Sequence, residues 1–189
     1  MGNDRFASER ELEMIRVLEA SLPALRSFAR GLSSSNTVAD DIVQSACERA
    51  LERLDQVTEI AGMKSWLNRI VYTQWQDVLR KRQRRKTKLF HFWDYQNASR
   101  SGRKNQGEDA HNQMIDIRRA LDRLSEEHRA AVVLVSMLGY EYEEAAEILD
   151  IPVGTLASRV ARARMQLADY LNSGKRNTLL FLPKKEIIR

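Results

Sequence analysis

Residues 141–164 read Glu141-Tyr142-Glu143-Glu144-Ala145-Ala146-Glu147-Ile148-Leu149-Asp150-Ile151-Pro152-Val153-Gly154-Thr155-Leu156-Ala157-Ser158-Arg159-Val160-Ala161-Arg162-Ala163-Arg164, and the fold turns on how they are read. Tyr142–Leu149 has the spacing of a short helix with Ala145, Ala146 and Leu149 facing inward. Asp150-Ile151-Pro152 makes a tight turn, and a longer helix is predicted from about Val153 to Leu171. Two helices joined this way cross steeply, and the two alanines let the backbones approach. The second helix of such a pair can enter the major groove with its first residues against base edges. Here those are Val153, Gly154, Thr155, Ser158 and Arg159, with Arg162 one turn further on. Arginine can donate two hydrogen bonds to guanine, and Thr or Ser can contact base or phosphate. Arg159, Arg162 and Arg164 share a short arc, so at least one would face the DNA backbone. An ordinary helical hairpin with an arginine-bearing solvent face has the same spacing, so this segment alone leaves both readings open.

Upstream, Ile115, Leu121 and Leu124 mark a short helix. Ser125 is placed to cap the next one, with Glu126 and Glu127 suited to its N-terminal dipole. That helix carries Ala130, Val133, Leu134 and Met137 and ends at Gly139. Downstream, residues 173–189 form a basic tail around Leu179, Leu180, Phe181 and Leu182. Residues 87–112 lose all periodicity and gather Ser, Asn, Gln and Gly, as a linker does. Its aromatic cluster (Phe90, His91, Phe92, Trp93, Tyr95) is unusual for a spacer.

The N-terminal half is a second helical unit. Leu12, Ile15, Leu18, Leu22, Leu25, Phe28 and Leu32 predict a helix from around Glu11, with Pro23 near a start or kink. A second helix opens at Thr37, where Thr37 and Asp40 have capping-box spacing. Its inner stripe is Val38, Ile42, Ala46, Ala50 and Leu54. Residues 55–62 read as a loop. Met63, Trp66, Leu67, Ile70, Val71, Trp75, Val78 and Leu79 form a third helix that runs into Arg80-Lys81-Arg82-Gln83-Arg84-Arg85-Lys86. No β pattern is found, so the predicted fold is all-α: two small helical domains on a flexible linker.

Composition narrows the function classes. Of 189 residues, 43% are apolar and 30% charged, which suits packed helices. No apolar run approaches the roughly 20 residues that cross a bilayer, and the N-terminal stretch lacks the apolar core of a signal peptide. Together with one cysteine, Cys47, this predicts a cytoplasmic protein without a disulfide. One Cys and three His give no basis for a metal site or a cofactor. The net charge of +5 is unevenly spread. Residues 80–104 carry 10 Lys/Arg against one acid, and the flanking segments are slightly acidic. Such a block attracts a polyanion through counterion release; alone, it would equally suit a solvated linker.

The run from Tyr142 to Arg164, with Leu121-Asp122-Arg123-Leu124-Ser125-Glu126-Glu127-His128-Arg129 before it, resembles region 4 of the extracytoplasmic-function (ECF) sigma factors. Asp150 stands where glycine is usual, and Ala157 where a polar or basic side chain is common. Ala39-Asp40-Asp41-Ile42-Val43-Gln44 resembles the acidic segment of sigma region 2. Met63-Lys64-Ser65-Trp66-Leu67-Asn68-Arg69-Ile70 through Asp77-Val78-Leu79-Arg80 resembles the helix that opens and reads the −10 element. The resemblance covers about residues 20–85 and 115–172.

It implies an alternative sigma factor with no catalytic residue, which directs core RNA polymerase to promoters in a stress or envelope response. Asp40, Asp41 and Gln44 would dock on the β′ clamp helices, and the second domain would meet the β flap. Arg69, Tyr72, Thr73, Arg80, Lys81, Arg82, Arg84 and Arg85 would follow the −10 strand. Thr73 stands where many members carry Asn. Tyr72 and Trp75 are candidates to stack on bases, though amphipathic spacing puts Trp75 and Trp66 in the core. Val153, Gly154, Thr155, Ser158, Arg159 and Arg162 would read the −35 element. The implied partners are core polymerase, promoter DNA and an anti-sigma factor, with no membrane insertion. The implied boundaries are 11–86 for region 2, 87–112 for the linker, 113–172 for region 4 and 173–189 for a tail. A stand-alone helix-turn-helix regulator is the alternative, but it needs neither the acidic docking segment nor the Arg-rich opening helix. A nuclease would need a carboxylate–metal or His/Cys cluster, and no plausible one is evident.

Overall fold

The computed structural model describes residues 3–89 and 117–173, with side chains over 9–84 and 117–170. The predicted linker starts at residue 87, but residues 87–89 are still helical; the rest of it that follows, with its aromatic cluster, and the tail beyond Ser173 lie outside the described residues.

All described elements are helical. Helix α1 (Asn3–Leu32) starts earlier than its apolar spacing suggests and passes through Pro23 without ending. Pro23 is exposed, so its missing N–H costs a hydrogen bond only on the solvent side. Leu12, expected in the inner stripe, is 52% exposed; Met14 and Leu18 start the buried face instead. Helix α2 (Asn36–Leu51) is capped by Ser35, whose hydroxyl accepts from Val38 N–H. Thr37 and Asp40 therefore do not form the expected capping box: the chain enters the helix two residues earlier. Residues 55–62 contain two short 3-10 turns, Leu54–Gln56 and Ile60–Gly62. Helix α3 (Met63–Leu89) follows without interruption. Phe28, Ile42, Met63, Leu67 and Val71 fill the space between these three helices.

In the second unit, α4 is described over residues 117–122. Ser125 caps α5 (Glu126–Val132) by accepting from His128 N–H, as expected. From Val133 to Met137 the helix widens into a π turn, closed by Leu138 N–H on Val133 O at 3.0 Å. Gly139 follows at φ 76°, a conformation that glycine adopts freely. Helices α6 (Tyr142–Leu149) and α7 (Val153–Ser173) complete the helix-turn-helix. Asp150 sits in the left-handed region at φ 56°, where Asp is among the more tolerated residues. Ala145, Ala146, Ile148 and Leu149 of α6 and Leu156, Val160 and Leu167 of α7 are all buried, and the two helices pack on each other.

The two units are not separate. Their buried side chains form one continuous cluster, with α6 packed on α3 and α5 on the end of α1. At Gly31 a β-carbon would lie 2.8 Å from Val133 Cγ1, so only glycine lets the helices meet there without displacement. Arg129 is buried and donates to Leu32 O at 2.9 Å in α1, and to Asp122 O and Leu124 O in its own unit. The buried Asn68 donates to Tyr140 Oη at 2.8 Å.

Candidate nucleic-acid and polymerase interface

Three surfaces carry the candidate residues. On α2, Asp40, Asp41 and Gln44 are all exposed on the first two turns. Because Ser35 supplies the cap, neither aspartate is needed to start the helix. Asp40 lies 3.6 Å from Arg30, and Gln44 donates to Glu48, both in the open where such contacts are worth little. The carboxylates remain available to a basic partner.

The second surface is the side of α3. Arg69, Thr73, Arg80, Lys81, Arg82 and Arg84 are exposed, and Tyr72 is half-buried. The backbone of Arg85 continues the same helix. Thr73 Oγ1 turns back to Arg69 O at 2.9 Å, and Arg80 pairs with Asp77 at 3.2 Å. Arg82 lies over the Trp75 ring at 5.5 Å. Trp75 is core, as its spacing predicted, which gives the basic segment a fixed anchor. Trp66 is only half-buried. It lines a pocket of about 170 Å³ with Arg49, Arg53, Arg69, Ile70 and Thr73. Arg49 and Arg53 were not singled out from sequence; their four-residue spacing at the end of α2 is the signal that would have found them. Arginines and a tryptophan lining one pocket suit a nucleotide of a separated strand, which needs cations for its phosphate and an aromatic side chain for its base.

The third surface is the start of α7. Val153, Gly154, Ser158 and Arg162 are exposed, Val153 at 41%. Thr155 is half-buried. Arg159 differs from its neighbours: its side chain is 19% exposed and pairs with Glu127 at 2.8 Å. It borders a cleft of about 330 Å³ between the units, walled on one side by Arg69, Tyr72, Thr73 and Gln76 and on the other by Glu127, Asp150 and Ile151. Across this cleft Arg69 meets Asp150 at 3.3 Å. A candidate −10 residue and the turn of the helix-turn-helix are thus in contact, which linear sequence could not reveal.

Among the described residues no group of acids, His and Cys is arranged to hold a metal ion, and no helix is long and apolar enough to cross a membrane. Burial pushes the Cys47 thiol up from its ordinary value, and Arg26 partly offsets this.

Both helical units are similar to known proteins. Residues 114–167 match the Sigma-70, region 4 family, and residues 18–72 match the Sigma2 domain of PhyR. The chain is 37% identical to the ECF RNA polymerase sigma factor EcfG of Rhodopseudomonas palustris, over 80% of this chain and 81% of that one. It is 39% identical to the ECF sigma factor SigM of Mycobacterium tuberculosis, over 79% and 74% of the two chains. Among solved structures, the sigma factor RpoE of Bartonella quintana, crystallised with the anti-sigma factor NepR, superposes with a TM-score of 0.70 at 31% identity, covering 85% of this chain and 97% of that one. On the strength of relatives matched over about four-fifths of this chain and of the shared fold, this chain belongs to the ECF family of RNA polymerase sigma factors, which are regulators of transcription.

Proposed function

We propose that the chain directs core RNA polymerase to a set of promoters and helps open their −10 region, without catalytic residues of its own, in the cytoplasm. In this reading residues 11–86 act as region 2, 87–112 as the linker, 113–172 as region 4 and 173–189 as a tail. Asp40, Asp41 and Gln44 grip the β′ clamp helices, and region 4 rests on the β flap. The separated −10 strand follows Arg69, Tyr72, Thr73 and the cations from Arg80 to Arg85. The start of α7 reads the −35 element through Val153, Gly154, Thr155, Ser158, Arg159 and Arg162.

The observation that carries this reading is the coexistence of an exposed acidic face on α2, a guanidinium-lined side of α3 and an exposed start of α7. A stand-alone repressor requires only the last. The naming of the relatives as ECF sigma factors supports a role in a stress or envelope response. The relative solved with NepR supports an anti-sigma factor as a partner. Transcription in vitro with core polymerase and a small library of promoter fragments tests the reading. The expected result is a transcript from a subset of fragments only when the protein is added. Tight, specific duplex binding without polymerase, and no transcript, would favour a regulator.

A further inference from the structure

Resting on that reading, we propose that Arg10 is a positioning residue for −10 recognition. From the first turns of α1 it fixes the connection between α2 and α3, and through it the place of Arg53 in the wall of the nucleotide pocket.

The connection runs from Glu52 to Gly62. Leu54 and Val57 are buried and Ile60 packs against the core, one apolar anchor every three residues. Between the last two anchors the chain is extended, with Val57 at ψ 107° and Glu59 at ψ 127°. The bonds of the flanking 3-10 turns end on the carbonyls of Arg53, Leu54, Glu59 and Ile60. The carbonyls of Val57 and Thr58, in the extended stretch, are met instead by Arg10 Nη2, which donates to them at 2.6 and 2.9 Å. A charged donor makes the stronger kind of hydrogen bond. Both acceptors are backbone, so a single side chain has to be ordered, unlike a surface pair of two long ones.

Burial does not account for the arginine. The buried face of α1 starts at Met14, and Glu9, Arg10, Glu11 and Leu12 are exposed. This stretch also lies ahead of residues 18–72, which match the Sigma2 domain of PhyR.

What the connection positions is Arg53. Helix α2 ends at Leu51, and Arg53 stands beyond it, at the start of the first 3-10 turn. It lines the pocket of about 170 Å³ with Arg49 of α2 and with Trp66, Arg69, Ile70 and Thr73 of α3. Those other residues are placed by the packing of α2 on α3. Arg53 goes where the connection goes. A binding site discriminates only if its groups are held to within about 0.5 Å. A connection released from α1 would therefore blur the choice of base, while both helices and the acidic face of α2 stay in place.

Arg10→Ala in the full chain tests this. With core polymerase, transcription is measured on a promoter that the wild-type protein selects, on single-base variants of its −10 element, and on variants of its −35 element. Preference for the original −10 sequence should fall roughly three- to tenfold, within the worth of hydrogen bonds to one charged donor, and −35 preference should not change. A misfolded fraction lowers all transcripts alike, as does loss of a phosphate contact by Arg10 itself, so a uniform loss or no change overturns the proposal. Hydrogen exchange of the free protein reads the clamp directly. The Val57 and Gly62 amides, bonded within the turns, should exchange roughly threefold faster or more in Arg10→Ala; unchanged exchange also overturns the proposal. If the wild-type protein gives no promoter-specific transcript, the sigma reading fails. Exchange needs no polymerase, so it tells that outcome apart from failure of the clamp.

Discussion

Asn68 Nδ2 donates to Tyr140 Oη at 2.8 Å, joining the middle of α3 to the segment that precedes the helix-turn-helix. The bond pairs a buried amide with a phenol that follows the widened turn at Val133–Met137. Replacing Tyr140 by Phe should cost about 1 kcal/mol, the usual net worth of one internal hydrogen bond. Urea unfolding of the two proteins measures it.

The same tyrosine gives a pH signature. Burial pushes its hydroxyl above the ordinary value of 10.0, the bond from Asn68 partly opposes this, and Glu144 adds to the rise. A raised folded value means that the unfolded chain loses this proton first. The contribution is therefore intact below pH 10 and is lost as pH climbs through the folded value. Wild-type stability should fall more steeply above pH 10 than that of Tyr140→Phe; parallel curves would contradict the assignment.

Arg129 should be among the most sensitive positions. Its substitution by Met leaves Leu32 O, Asp122 O and Leu124 O without their buried donor. At about 1–3 kcal/mol for each carbonyl left unpaired, and with relaxation recovering part, a loss of about 2–4 kcal/mol is expected. Calorimetry should show Tm lower by about 5–15 °C.

Reversal of Asp40 and Asp41 to Lys should weaken core polymerase binding at least tenfold and leave the helical circular dichroism unchanged. Both are exposed, and Ser35 rather than either aspartate caps the helix. Surface charge reversal at a docking face acts on association and specificity. Fluorescence anisotropy with labelled protein reads both affinity and rate.

Arg53→Ala should weaken binding to melted −10 DNA in the polymerase complex. If it removes one phosphate contact, the slope of log K against log salt should fall by about 0.7. A salt titration on a pre-opened template decides, and an unchanged slope would take Arg53 out of the strand path.

Much of this was legible in the sequence because helices announce themselves by period and cap. Ser125, the Asp150 turn and the inward alanines of α6 came directly from residue chemistry. Thr37 and Asp40 have capping-box spacing, yet the chain enters α2 two residues earlier and Ser35 caps it, a choice set by backbone conformation that spacing does not record. Pro23 suggests a helix start or kink, and α1 runs through it with the residue on the solvent side. The meeting of the two units could not be foreseen: it depends on Gly31 facing Val133 and on a π turn, and neither leaves a periodic mark. Arg159 was grouped with the groove-facing residues by spacing, and the structure adds its pairing with Glu127 at the cleft edge.

The central claim is that this chain gives polymerase its choice of promoter. The most direct measurement is run-off transcription from a fragment library by core polymerase alone, with the protein, and with Asp40→Lys/Asp41→Lys. The account predicts transcripts from a defined subset with the protein, few or none with the variant, and none from core alone. A transcript pattern that the protein leaves unchanged, together with specific duplex binding in the absence of polymerase, would contradict it.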